Sequence, residues 1–174
     1  ETAYYPALST LFERVGASLS PKVLALSQLS NTGAGSPDFG LFAANQIQKG
    51  EPRKGQMPER GVVEVKAVDD NSLFTSTPTQ LSKYFDAYRL VLVTNLRAFQ
   101  LVGEDVNGTP TRLEAFALAD SAADFWTLVQ KPDASAKVHG LAFIEYLRRA
   151  LTQNVALVQP KDVPIGLQIN YGNG

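Results

Sequence analysis

The segment Val62-Val63-Glu64-Val65-Lys66-Ala67-Val68 is the strongest strand in the chain, and it narrows the fold more than any other stretch. Side chains alternate along a strand, so Val63, Val65 and Ala67 share one face, while Glu64 and Lys66 share the other, about 7 Å apart. A solvated edge strand carrying a weak Glu–Lys pair would read the same way. Leu90-Val91-Leu92-Val93 is a nearly continuous apolar run, suited to a buried central strand. Between the two, Thr77 predicts an N-cap and Pro78 the first residue of a helix that runs to about Tyr88. A first helix is predicted from Tyr4, Leu8, Leu11, Phe12 and Val15 at helical spacing, with Pro6 in its first turn and Gly16 as its stop. Further strands are expected at 22–29, 38–42, 98–102 and 112–118, the last entered through an Asn107-Gly108 turn. Asp120 or Ser121 can cap a helix bearing Ala123, Phe125, Trp126 and Val129, and a final helix is expected over 141–151. This order predicts an α/β domain around one mixed central sheet, flanked by helices on both faces. Residues 1–150 would form that domain, and 151–174, with Pro160, Pro164 and a Gly-Asn-Gly end, a connector or tail.

The 174 residues suit a single domain, and their content limits its chemistry. With no cysteine, thiol nucleophiles and Cys-based zinc or iron–sulfur sites are excluded. The one histidine, His139, expected in a loop before the last helix, weighs against a multi-His metal centre and a Ser-His-Asp hydrolase. Any metal must then be held by oxygen, which points to magnesium, manganese or calcium. No apolar run approaches the roughly 20 residues of a membrane helix, so no membrane partner and a cytoplasmic setting are expected. A net charge of −1 argues against a nucleic-acid binder working through overall charge, but leaves room for a local basic patch. Such a patch lies in the polar excursion 45–61, where Lys49, Arg53, Lys54 and Arg60 are offset by Glu51 and Glu59. Its residues are candidate phosphate contacts or else an ordinary solvated loop.

Ser36-Pro37-Asp38 places an acid at the start of a short strand. If strands 38–42 and 62–68 pair as neighbours, Asp38 converges on Glu64. Two carboxylates with the Val65 carbonyl between them form a hard oxygen site for a divalent cation that keeps several waters. Lys66 would lie beside that metal, able to orient a water or stabilise developing phosphate charge. Gln80 and Tyr84, four residues apart, share a helix face that can overlook the same strand. Each part also has a plainer reading: Asp38 as a turn former, and Tyr84 as a half-buried residue of an amphipathic helix.

Taken in order, Pro37-Asp38, Glu64-Val65-Lys66 and Gln80-x-x-x-Tyr84 resemble the PD-(D/E)xK nuclease superfamily, and within it the restriction-type and Mrr-like members. Glu1-Thr2-Ala3-Tyr4-Tyr5-Pro6, the loop from Gly33 to Gly40 and Val91-Leu92-Val93-Thr94-Asn95 are similar to the N-terminal nuclease region of single-chain restriction–modification enzymes. The resemblance covers about residues 1–150. It implies a restriction-endonuclease-like fold and DNA phosphodiester cleavage dependent on Mg2+, with Mn2+ as a substitute, in phage defence. Asp38 and Glu64 would be metal ligands, Lys66 the group assisting the attacking water, and Gln80 and Tyr84 the shapers of the site. Glu1 would be the first-helix acid that helps bind metal in many members, with Glu13 a poorer second. The implied partners are DNA, an adenine-specific methyltransferase domain and, in some relatives, a helicase-like motor of the same polypeptide. Neither an Asn-Pro-Pro-Phe stretch nor a P-loop occurs in these 174 residues. The rival expectation is a catalytically silent DNA-binding or scaffolding domain on the same fold.

Overall fold

A computed structural model describes residues 2–27, 29, 35–71 and 79–153; of residues 2 and 79–82 it describes the backbone alone. A turn of 3-10 helix leads into α1 (Tyr5–Ala17), followed by β1 (Val23–Ser27) and β2 (Phe39–Ala43). The excursion holds a small hairpin, β3 (Ile47–Gln48) and β4 (Glu51–Pro52). Next come β5 (Val62–Val65), α2 (Thr79–Tyr88), β6 (Val91–Thr94), β7 (Ala98–Glu104) and β8 (Pro110–Ala117). The described chain closes with α3 (Ala122–Val129) and α4 (Pro132–Thr152). The six long strands form one mixed sheet in the order β1-β2-β5-β6-β7-β8. Only β5 and β6 pair in parallel, and α2 lies between them in sequence, as a parallel crossover requires.

The sheet has two apolar faces because its central strands alternate. Val63 and Val65 join Phe39, Leu41, Leu92 and Phe99 under α1 and α4, which contribute Leu8, Phe12, Val15, Leu147 and Leu151. Val62, Val91 and Val93 point the other way, against Tyr84, Phe85 and Tyr88 of α2. Helices therefore cover both faces, as the element order predicts. The edge-strand reading of 62–68 is overturned: β5 is an interior strand and all four of its residues are buried.

Two boundaries differ from expectation by more than two residues. β5 stops at Val65, and the chain turns at 68–69, where the Arg97 Nε donates to the Val68 carbonyl at 2.8 Å. α4 starts at Pro132, not near 141, so His139 stands on a helix and not in a loop. Pro132 at the first helical position and Ala134 and Ala136 behind it favour that early start, although the first turns bury little. The Thr77–Pro78 cap and the tail beyond 153 lie outside the described residues.

Gly61 sets the entry of β5. Its φ is +84°, and a Cβ there would sit 2.3 Å from the Leu90 carbonyl oxygen. That same carbonyl accepts from the Val62 N–H at 3.0 Å, the bond that starts the β5–β6 pairing. Gly61→Ala should therefore cost at least about 2 kcal/mol through left-handed strain and collision. At roughly 2–4 °C per kcal/mol, the melting temperature should fall by about 4 °C or more. A calorimetric scan with an unchanged midpoint would contradict this account of the strand entry.

Candidate active site at the end of strand β5

β2 and β5 are antiparallel neighbours, with Phe39 opposite Val63 and Gly40 opposite Val62. Asp38, one residue ahead of β2, prolongs their ladder. Its N–H donates to the Val63 carbonyl at 3.1 Å. Its Oδ2 accepts from the Val65 N–H at 2.6 Å, where a further backbone carbonyl would otherwise be needed. Its Oδ1 accepts from the Tyr5 hydroxyl, which α1 delivers from its first residue. Asp38 is thus more than a turn former, because its carboxylate is the acceptor that ends the sheet at this point.

Glu64 projects from β5 on the α2 side, opposite Val93 of β6. Its side chain is 7% exposed and accepts at Oε1 from the Lys66 ammonium at 2.7 Å. A buried carboxylate needs such a partner, since desolvation penalises an isolated charge heavily. The Lys66 backbone N–H donates to the Thr94 carbonyl at 2.7 Å, so β6 holds the residue in place just past the strand end. The carboxylates of Asp38 and Glu64 therefore flank one stretch of backbone: Glu64 precedes Val65, and Asp38 grips the Val65 N–H. These two carboxylates and the Val65 carbonyl are the oxygen donors that this strand end carries. Among the described residues no group of three His, Cys, Asp or Glu side chains gathers that could hold a metal ion by itself.

Tyr84 is fully buried against Val62, Val91 and Val93, on the sheet face that also bears Glu64. Gly35 lies against it: a Cβ at Gly35 would be 3.1 Å from the ring, and its φ is +106°. Gly35 thus permits close approach of the backbone to Tyr84. The Gln80 side chain and Glu1 lie outside the described residues. Glu13 is exposed, accepts from Ser9 Oγ at 3.1 Å, and stands eight residues along α1 from Tyr5, about 12 Å of helix rise.

The basic residues separate into two groups. Lys49, Arg53 and Lys54 are exposed, with Lys49 at a φ of +54° in the β3–β4 turn. Arg60 does not belong with them: it is 6% exposed, and its Nη1 donates to the Thr152 carbonyl at the end of α4 at 2.6 Å. Its charge meets the negative end of a helix, so it is withdrawn from any phosphate-contact surface. The excursion itself is ordered by Gln46, a residue the sequence pattern did not single out. Gln46 Oε1 accepts from Ala43 and Glu59 N–H groups, and Nε2 donates to the Met57 carbonyl at 2.7 Å. Between the excursion and the sheet runs a groove of about 620 Å³, lined by Leu26, Phe42, Arg53, Lys54, Met57 and Tyr88 among others.

Arg97, which the sequence pattern does not single out, is buried and braces the segment after Lys66. Its guanidinium donates to the carbonyls of Val68 and Asp120, each at 2.8 Å, and to Asn71 Oδ1. A buried arginine needs all these acceptors, and a lone Arg in a sequence gives no sign that it has them.

No protein-family model matches the chain. No curated protein matches it either. Among solved structures it is similar to the type IIG restriction endonuclease BpuSI, at 12% sequence identity and a TM-score of 0.47. The match covers 85% of this chain and 16% of that protein, so the chain spans a small part of its length.

Asp38 makes two charge-assisted hydrogen bonds that end the sheet, each worth about 1.5–3 kcal/mol. Asp38→Ala should accordingly lower unfolding stability by about 3 kcal/mol with a chelator present. An unchanged urea midpoint would show that the carboxylate does not fasten the strands.

Proposed function

We propose that the chain is a magnesium-dependent endodeoxyribonuclease domain of restriction type, hydrolysing DNA phosphodiester bonds within a restriction–modification enzyme. The observation that carries this reading is the anchorage of Asp38, Glu64 and Lys66 on one strand end. Asp38 sits on the Val65 N–H at 2.6 Å, and Lys66 on Glu64 at 2.7 Å. Asp38, Glu64 and the Val65 carbonyl would hold the ion, with Glu1 a further ligand on the strength of the resemblance alone. Magnesium bound there would polarise a water and offset phosphate charge. In hydrolysis a water oxygen bonds to phosphorus as the bond to the leaving oxygen breaks, and negative charge grows on the phosphoryl oxygens. The Lys66 ammonium, beside Glu64, is the residue placed to orient that water and stabilise that charge. Tyr84 would shape the site from beneath through packing, and Gln80 would line it or touch the DNA backbone. Lys49, Arg53 and Lys54 are the proposed phosphate contacts, which position DNA without reading its sequence. Sequence recognition, adenine methylation and any helicase-like motor then fall to other domains of the same polypeptide, in the cytoplasm. No helix among the described residues is long and apolar enough to cross a membrane.

A silent DNA-binding scaffold is the second reading, and one observation favours it. The charged groups are satisfied internally, Lys66 by Glu64, and Asp38 by Val65 and Tyr5. Calorimetric titration with manganese separates the two, because a nuclease site takes up the ion and a scaffold does not.

Lys66→Ala should depress metal-dependent nicking by about 3 kcal/mol of transition-state stabilisation, on the order of a hundredfold in rate. Manganese binding should survive, since the ammonium is no ligand. Cleavage at the wild-type rate would make the Glu-x-Lys match accidental. For DNA affinity, joint charge reversal at Arg53 and Lys54 should weaken binding and flatten its salt dependence by roughly two counterions. An identical salt slope would take the excursion out of the interface.

A further inference from the structure

We infer that Tyr5 is a positioning residue for the metal ligand Asp38, an inference that rests on the nuclease reading and extends it to a side chain outside the Asp, Glu and Lys set. Tyr5 opens α1, more than thirty residues before Asp38, and its hydroxyl donates to Asp38 Oδ1. The opposite oxygen, Oδ2, is held by the Val65 N–H at 2.6 Å. A carboxylate held at both oxygens has one position and one rotamer. Two of its roughly four lone-pair sites are consumed, and the others remain for a cation. The phenol ring is itself fixed, because it lies against Phe39 at 5.5 Å between centroids, and Phe39 packs edge-on against Phe12 at 5.6 Å. The chain of contacts runs from the core under α1 to the carboxylate. It makes the docking of α1 a condition for the geometry of the site.

This arrangement has a chemical purpose beyond anchoring a helix. A hydrogen-bonded ligand carboxylate is already in its binding orientation, so no rotamer freedom is lost when the ion arrives. The hydroxyl is replaceable without disturbing the anchor, since Tyr5→Phe keeps the ring and its contact with Phe39. Groups that orient metal ligands in this way contribute about 10–100-fold to metal affinity when removed.

The test uses the full chain and manganese alone as the probe. Tyr5→Phe should raise the calorimetric dissociation constant for manganese by about tenfold, and the metal concentration giving half-maximal nicking by a similar factor. The rate at saturating manganese should return to near the wild-type value, because the ligand is still present. Tyr5→Phe should also lower the melting temperature in chelator, but hardly at all when Asp38 is already alanine, since the hydroxyl acts through that carboxylate. An unchanged dissociation constant, or equal melting losses in both backgrounds, would overturn the inference and leave Tyr5 as a helix anchor. Wild-type protein that takes up no manganese would instead overturn the nuclease reading and this inference with it.

Discussion

The interaction on which the site depends is the substitution of a side-chain carboxylate for a backbone carbonyl at the end of the β2–β5 ladder. β2 begins at Phe39, so the Val65 N–H would have no strand partner on that side without Asp38 Oδ2. A buried N–H without an acceptor is costly, and a charged acceptor makes one of the stronger hydrogen bonds available. Folding of the sheet therefore brings an acid to the strand that carries Glu64. The sheet and the candidate metal site are assembled by the same bond.

The remaining charge follows from where β5 lies. Interior to the sheet and beneath α2, it gives Glu64 little contact with water, and the Lys66 ammonium balances it. Lys66 can do so because its backbone is tied to Thr94 of the parallel neighbour, and the following turn is braced by Arg97. Thr94 is also occupied on its far side: its hydroxyl donates to Ala98 and accepts from Leu96, fixing the β6–β7 corner. The position of one ammonium is thus set by three strands and one buried guanidinium.

What could be read from the sequence was what depends on local periodicity. The two faces of 62–65, the apolar β6 run and the Ser121 cap of α3 follow from alternation and capping chemistry, while the pairing of β2 with β5 was only a condition there and is supplied by the structure. Asp38 could be singled out from its place at the start of a short strand, and Glu64 from its alternation with Lys66 on one strand face. Tyr5, Gln46 and Arg97 could not, because their partners are 33, 13 and 29 residues away and no short pattern records such distances. Arg60 misled for a related reason. In sequence it stands among exposed cations, while in space it meets the last turn of α4, whose end is 92 residues away. The early start of α4 escaped because its first turns carry small and polar residues and bury little, so hydrophobic periodicity is weak there.

Residues fastened this tightly into the sheet carry structural duties besides any chemistry. Residues that only bind metal can be lost without harm to the fold, but here Asp38 closes a strand pair and Lys66 neutralises a buried acid. Loss of Lys66 would break the ion pair of a buried Glu64, a change that typically costs about 3–5 kcal/mol. The presence of an intact Asp, Glu and Lys is therefore accounted for by stability as much as by catalysis. Only a feature with no structural duty can decide between them. The spare lone pairs of Asp38 are such a feature, because the sheet uses one on Oδ2, α1 uses one on Oδ1 through Tyr5, and the fold has no need of the others. Whether those lone pairs accept a divalent cation is the point at which an enzyme and a scaffold on this fold part company.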